Sequence, residues 1–154
     1  MTDFADWQAV YDLSLRYAEA IDRRRWDDLC EVFAPMVRVD FSSFSGSPAS
    51  AEPVEGPAWV SVVSSTIDGF VSTQHLIANH RITVESPTSA RYSAYVQAQH
   101  WMSRDRWYLV GGSYDNEATC VDGRWRLSVI TFNQTWDAGD RGLLREAGRL
   151  ARGR

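Results

Sequence analysis

From Val71 to Trp136 the chain alternates with a period of two. It does so in four long stretches, residues 71–84, 90–103, 106–121 and 124–136. The connections between them are short. Asp122-Gly123 is a strong hairpin signal, and Ser103 to Arg106 reads as another tight turn. Four long strands joined by tight turns pair antiparallel in chain order, and one face of such a sheet has to be covered. The first seventy residues therefore have to supply the cover.

They read as mostly helical. The spacing predicts a helix over residues 3–22, with Phe4, Trp7, Tyr11, Leu15 and Ala18 as its apolar stripe and Gln8, Asp12, Arg16, Glu19 and Arg23 on the opposite face. A second short helix carries Trp26, Leu29, Cys30 and Phe33 and is ended by Pro35. Val37, Val39 and Phe41 alternate as a strand. Ser45 to Pro57, rich in Ser, Pro, Gly and Ala, reads as a mobile loop and a candidate lid. Pro57 suits the first turn of a third helix bearing Trp59, Val62, Val63 and Thr66, stopped by Gly69. A last helix over 141–151 presents Leu143, Leu144, Ala147 and Leu150, with Asp140 as its cap. The order ααβαββββα, helices first and an antiparallel meander after, indicates an α+β fold in one domain of 154 residues.

Composition excludes several functions. All sixteen basic residues are Arg, so neither Schiff-base chemistry nor a P-loop lysine is possible. The net charge of −4 argues against a nucleic-acid partner, and Arg23–Arg25 and Arg149, Arg152 and Arg154 read as short solvated groups. Cys30 and Cys120 lie far apart without metal spacing. The N-terminus shows no signal-peptide pattern and no apolar run reaches membrane-spanning length. The expectation is a cytoplasmic protein with free thiols and no membrane partner. The last two strands are apolar at both parities (Trp125, Leu127 and Val129; Ile130, Phe132 and Trp136). This predicts a covered outer face and self-association as a dimer or trimer.

Three polar residues fall on faces that otherwise read as buried. Extending the stripe of the first helix by four from Ala18 lands on Asp22. His75 shares its parity with Val71, Thr73 and Ile77. His100 shares its parity with Tyr92, Ala94, Val96, Ala98 and Met102. His80 has the opposite parity to His75 and reads as surface or structural. A carboxylate bonded to one imidazole nitrogen fixes the tautomer and makes the other nitrogen a general base, and a second His can serve as acid or hold a leaving oxygen. Two His and one carboxylate are also the ligand types of an iron facial triad. No Ser or Cys sits in a nucleophile motif. The aromatic surplus, seven Trp among 12% aromatics, supplies a cavity wall for a ring-containing substrate: Trp26, Phe41, Trp59 and Trp136, with Trp7 and Phe70 beside them, and Tyr114 or Asn133 as polar helpers.

Several stretches resemble the SnoaL-like branch of the NTF2-like superfamily: Tyr17-Ala18-Glu19-Ala20-Ile21-Asp22, Trp26-Asp27-Asp28-Leu29, Phe33-Ala34-Pro35, Val37 to Phe41, Thr73-Gln74-His75, Gly111 to Glu117 and Asp122 to Arg126. The resemblance covers residues 4–140 and is closest in pattern to scytalone dehydratase and hexachlorocyclohexane dehydrochlorinase. It implies a cone-shaped α+β barrel with a curved sheet wrapped around N-terminal helices. It also implies an Asp22–His75 dyad, His100 as a second catalytic histidine, and a small hydrophobic substrate with no cofactor or metal. The activity implied is a dehydratase-type elimination, with an isomerase, a polyketide cyclase or a non-catalytic binder as alternatives on the same scaffold. Two tyrosines expected from scytalone dehydratase are Ile21 and Phe41 here, so scytalone itself is not the expected substrate. The basic residues expected from the dehydrochlorinase are replaced by Ala118 to Val121.

Overall fold

A computed structural model describes residues 4–153. Asp3, where the first helix was expected to begin, and Arg154 of the basic tail lie outside the described residues. Two helices, α1 (Phe4–Asp22) and α2 (Trp26–Val32), lead into β1 (Phe33–Asp40). A one-turn helix α3 (Ser42–Ser45), a two-residue strand β2 (Val54–Glu55) and α4 (Gly56–Ile67) follow. The meander is β3 (Ser72–Ser86), β4 (Ser89–Ser103), β5 (Arg106–Val121) and β6 (Arg124–Gly139), and α5 (Leu143–Arg152) ends the chain. One six-stranded sheet runs in the order β2-β1-β6-β5-β4-β3. Its pairings are antiparallel except for β1 beside β6. The sheet is an α+β layer that curves around the helices without closing, because β2 and β3 remain its two edges.

The helix faces differ in detail from the periodicity reading. In α1 the buried residues are Val10, Leu13, Ser14, Tyr17, Ala20 and Ile21, about one residue round from the expected stripe. Phe4 and Leu15 are exposed. Phe4, Trp7 and Tyr11 stack on one another along the flank of the helix, at 6.0 and 5.6 Å between ring centroids, and the ladder ends edge-on against His80. Ring stacking on a helix surface thus imitates a core stripe in the sequence. Pro35 does not stop α2, which ends at Val32; it lies inside β1, where the pairing with β6 skips from Phe33 to Arg38 and asks for no N–H there. The expected loop Ser45–Pro57 contains β2, paired with Met36 and Val37, and residues 45–52 are exposed. Asp140 Oδ1 accepts from the Gly142 N–H at 2.8 Å, one turn ahead of α5.

Bulges account for the alternation that breaks parity. On β6, Val129 pairs with Glu117 and Leu127 with Ala118, so Ser128 is an extra residue. The inward face shifts by one there, and Trp125, Leu127, Ile130 and Phe132 are all buried on the same side. A second extra residue, Thr135, precedes Trp136, whose ring covers Gly111 on the outer face. Trp125, Leu127, Ile130 and Phe132, which differ in parity, are therefore one core face read across a bulge, and Trp136 is left on the outer face. On β3 the register slips between Ala78 and Arg81, with Asn79 at φ 57°. This turns His80 to the same face as His75. It holds a structural place, 2.6 Å from Ser14 Oγ and against the rings of Tyr11 and Tyr92. Among the described residues both cysteines are free, and no helix is long and apolar enough to cross a membrane.

Asn tolerates the left-handed region that the β3 bulge needs, and a β-branched residue does not. Asn79→Val is expected to lose about 1–2 kcal/mol of stability and Asn79→Gly to stay within about 0.5 kcal/mol of the parent, as read from urea unfolding.

Candidate active site

The C-terminal end of α1 lies across β3, and this crossing builds the site. Asp22, the last residue of the helix, points its carboxylate at the strand. Oδ2 accepts from the His75 backbone N–H at 2.7 Å, and Oδ1 accepts from His75 Nδ1 at 2.7 Å and from the Thr73 hydroxyl at 3.0 Å. Burial acts to raise the Asp22 carboxyl, but the bonds from the His75 ring and backbone and from Thr73 outweigh it and hold it below the usual range. An ionised carboxylate only accepts, so His75 carries its proton on Nδ1 and leaves Nε2 with a lone pair. Arg24, at φ 56° just past the helix, folds back over this corner. Its guanidinium donates to the carbonyls of Ile21 and Asp22 and to Thr73 Oγ1 at 2.8 Å, completing a relay of hydrogen bonds behind the carboxylate. By sequence alone Arg24 belongs to a short solvated group, Arg23–Arg25. Only the left-handed turn after α1 brings it inward, and no spacing rule signals that.

His100 stands across from His75 on the neighbouring strand, their rings edge to face at 5.9 Å between centroids. Its Nδ1 lies 3.3 Å from the Tyr108 carbonyl oxygen. A carbonyl only accepts, so Nδ1 holds the proton here as well and Nε2 is unprotonated in the neutral ring. Burial, reinforced by the nearby His75, pushes His100 down to about 4. It is therefore a neutral acceptor near pH 7. Neither Nε2 has a protein partner. Neither is sealed: the only buried side-chain nitrogen or oxygen without a partner among the described residues is Trp59 Nε1.

Both rings open onto a cavity of about 520 Å³ between the sheet and α1 and α4. Ile21, Val39, Phe41, Val63 and Val96 give it apolar walls, Phe132 and Leu144 extend them, and residues from Ser42 to Ser50 frame its mouth. Phe41, Trp59 and Tyr114 are on the wall as expected, and Phe41 packs 5.1 Å from Trp59 between centroids. Three expected lining residues are elsewhere. Trp26 donates its indole N–H to Asp68 behind α2. Asn133 donates to Asp115, and Trp136 lies over Gly111; both are on the convex side, because the β6 bulges reset the parity that placed them inward. Trp7 is in the surface ladder, and Phe70 packs with Leu143 and Ala147 behind His100. Tyr17, which sequence reading passed over, does line the cavity. Its signal was available: it lies one helical turn before Ile21 on the buried side. Among the described residues no group of three or more His, Cys, Asp or Glu is placed to hold a metal ion.

Residues 2–131 match the model of the SnoaL-like domain. The chain belongs to the SnoaL-like family. It is 33% identical to the scytalone dehydratase of Pyricularia oryzae over 156 aligned positions, covering 95% of this chain and 90% of that one. A crystal structure of a protein from Kribbella flavida has a TM-score of 0.81 at 27% identity, covering 96% of this chain and 97% of the other. The hexachlorocyclohexane dehydrochlorinase of Novosphingobium barchaimii has a TM-score of 0.72 at 16% identity, covering 90% and 92%, a likeness of fold alone. The SnoaL-like scaffold thus accounts for the curved sheet and the cavity at its mouth.

The histidine environments fix the direction of the acid response. The unfolded chain takes up a proton on His100 near the ordinary 6.5, whereas the folded protein resists until about 4. Stability contributed by neutral His100 is complete above 6.5 and is lost as pH falls toward 4, a difference on the order of 3 kcal/mol. His80, also lowered by burial, acts in the same direction, and the lowered Asp22 extends the loss further into acid. The thermal midpoint is expected to fall steadily between pH 6.5 and 4.5. His100→Gln is expected to flatten that slope when melts are followed by circular dichroism.

Proposed function

We propose that this protein is a cofactor-independent lyase that removes water from a small, hydrophobic, ring-containing metabolite. The observation that carries the reading is the Asp22–His75 pair opening, through an unpartnered Nε2, into an apolar cavity. A passive hydrophobic pocket has no use for an imidazole held with its basic nitrogen toward the cavity by a carboxylate on the other ring nitrogen. Similarity to scytalone dehydratase supports the same class of reaction.

In the proposed step His75 Nε2 takes a proton from a carbon next to an electron-withdrawing group. Asp22 stabilises the imidazolium that forms. The electron pair of the broken C–H bond becomes the new double bond as the neighbouring C–O bond breaks. His75 returns its proton to the departing oxygen, so water leaves and the base is regenerated. His100 Nε2, an acceptor, holds the hydroxyl by its hydrogen and orients the leaving oxygen. Isomerase and cyclase chemistry would share the first proton transfer and differ in product mass.

A placed general base contributes about 10² to 10⁴ in rate. His75→Ala is expected to lower turnover of a ring β-hydroxy ketone by that factor while circular dichroism shows an intact fold. Asp22→Asn, which removes the tautomer control, is expected to come close to it. Mass spectrometry of the product reads the reaction class: loss of water supports a dehydratase, and unchanged mass an isomerase or cyclase. Near-native turnover by a folded His75→Ala protein rules the mechanism out. A hydrophobic ligand retained in native mass spectra, with no turnover by the parent, favours the binder.

Self-association as a dimer or trimer belongs to the same reading. Leu76, Tyr95 and Trp136 are exposed on the convex face, at 50%, 64% and 41%. Tyr95→Asp is expected to shift the sedimenting species toward monomer; an unchanged species in analytical ultracentrifugation removes this face as the interface.

A further inference from the structure

A second hollow lies beside the cavity, between α4 and α5. It is an open groove of about 510 Å³ lined by Thr66, Leu144, Arg145, Gly148, Arg149 and Arg152. Thr66 and Leu144 also line the cavity that holds the two histidines, so they form the wall shared by the two spaces. Among the described residues the Thr66 hydroxyl has no hydrogen-bond partner.

One face of α5 supplies the charge. Arg145, Arg149 and Arg152 recur at spacings of four and three and therefore fall together. All three are exposed, and among the described residues none makes a hydrogen bond or an ion pair. By contrast Arg91, Arg106, Arg126 and Arg141 each reach a carboxylate. Glu146, the one acid of α5, gives both its oxygens to Arg106 and feels Arg149 only through space. Like charges three and four apart on a helix repel and cost stability. The helix dipole favours Arg149 and Arg152 in the last turn, but it disfavours Arg145 in the first. Gly148 forms the floor. A Cβ there would stand 3.5 Å from Arg152 Nη1 and 3.7 Å from the Ser65 carbonyl oxygen, ordinary contact distances. Ala would therefore fit and would favour the helix. Glycine instead leaves the floor open among three guanidinium groups.

Guanidinium forks match the geometry of oxyanions. A carboxylate brings one negative charge and two oxygens. A phosphate monoester brings about −1.5 to −2 near pH 7 and three acceptor oxygens. The monoester is the better complement to three unpaired guanidinium groups and a free hydroxyl.

We propose that the groove binds the phosphate of a monoester whose apolar body passes Thr66 and Leu144 into the cavity. The substrate class is then an amphipathic phosphate ester. This rests on the reading of the cavity as the place of an apolar substrate, and it adds the charge that the substrate carries.

The test is binding, independent of turnover. The probes are 4-phenylbutyl phosphate, 5-phenylpentanoate and 4-phenylbutanol, which share a ring and a flexible spacer, together with inorganic phosphate, each titrated by calorimetry. The parent is expected to hold the phosphate ester about tenfold tighter than the alcohol, the effect of a charge-assisted hydrogen bond, and tighter than the carboxylate. Added salt is expected to shrink that preference, because the arginines are exposed. Arg145→Gln combined with Arg149→Gln is expected to erase it and to bind the alcohol unchanged, which also reports the fold. The ester and the alcohol, unlike inorganic phosphate, are expected to shift the ring resonances of His75 and His100 in NMR spectra. A parent with no preference for the ester, or one that holds the carboxylate as tightly, overturns the assignment. So does a preference that survives in the double variant. An ester that leaves both histidine signals in place separates the groove from the cavity and overturns the substrate class. The dyad is judged apart from this, by kcat of His75→Ala on the neutral β-hydroxy ketone, which carries no phosphate for the arginines to hold.

Discussion

The carboxylate of Asp22 is the point on which helix and sheet are fastened to each other. It ends α1 and takes three hydrogen bonds from β3: the backbone and ring N–H groups of His75 and the hydroxyl of Thr73. A carboxylate partly withdrawn from water is costly unless its lone pairs are filled. Here the filling groups belong to another element, so the cost of burial becomes a constraint on how α1 crosses the sheet. The same bonds set the His75 tautomer. Structure and chemistry thus rest on one contact, and Arg24 closes it from behind through Thr73.

The cavity follows from curvature. A sheet of long strands twists and coils, and bulges at Asn79–His80, Ser128 and Thr135 bend it further while keeping its apolar residues inward. Straight helices laid on a concave sheet fill it at one end and leave space at the other. The filled end holds Val10, Leu13, Trp125 and Leu127; the open end holds His75, His100, Tyr17 and Tyr114. The polar groups lie where packing leaves room, which is also where their unpaired atoms can meet a ligand. Burial then divides the labour between the two histidines. His75 has a carboxylate behind it to stabilise its charged form, whereas His100 has only a carbonyl and stays neutral.

Much of this was legible in the residues themselves. Periodicity gave the four long strands and their hairpins, because side chains must alternate across a pleat. The polar intrusions at Asp22, His75 and His100 were visible as breaks in that alternation. On the strands the differences share one cause, that periodicity is a local property and bulges reset it. His80 seemed opposite to His75 and is not. Trp136 and Asn133 seemed to face inward and do not. The stacked ladder Phe4, Trp7 and Tyr11 passed for the core stripe of α1. Arg24 and Tyr17 were missed for a different reason: one depends on a left-handed residue after a helix, the other on which flank of α1 the sheet chose.

The sequence alone determined the kind of fold and the types of group available for chemistry. Its strand lengths, turn signals and helix spacings permit few arrangements, and a chain without Lys leaves His, carboxylate and phenol as its proton carriers. The tertiary structure decided which of those groups meet and in what state. Hydrogen-bond partners contributed by other elements put a proton on Nδ1 of both histidines, and burial kept His100 neutral and Tyr17 protonated. Tautomer, charge and the count of unmet donors depend on neighbours distant in the chain, and no local pattern of residues encodes them.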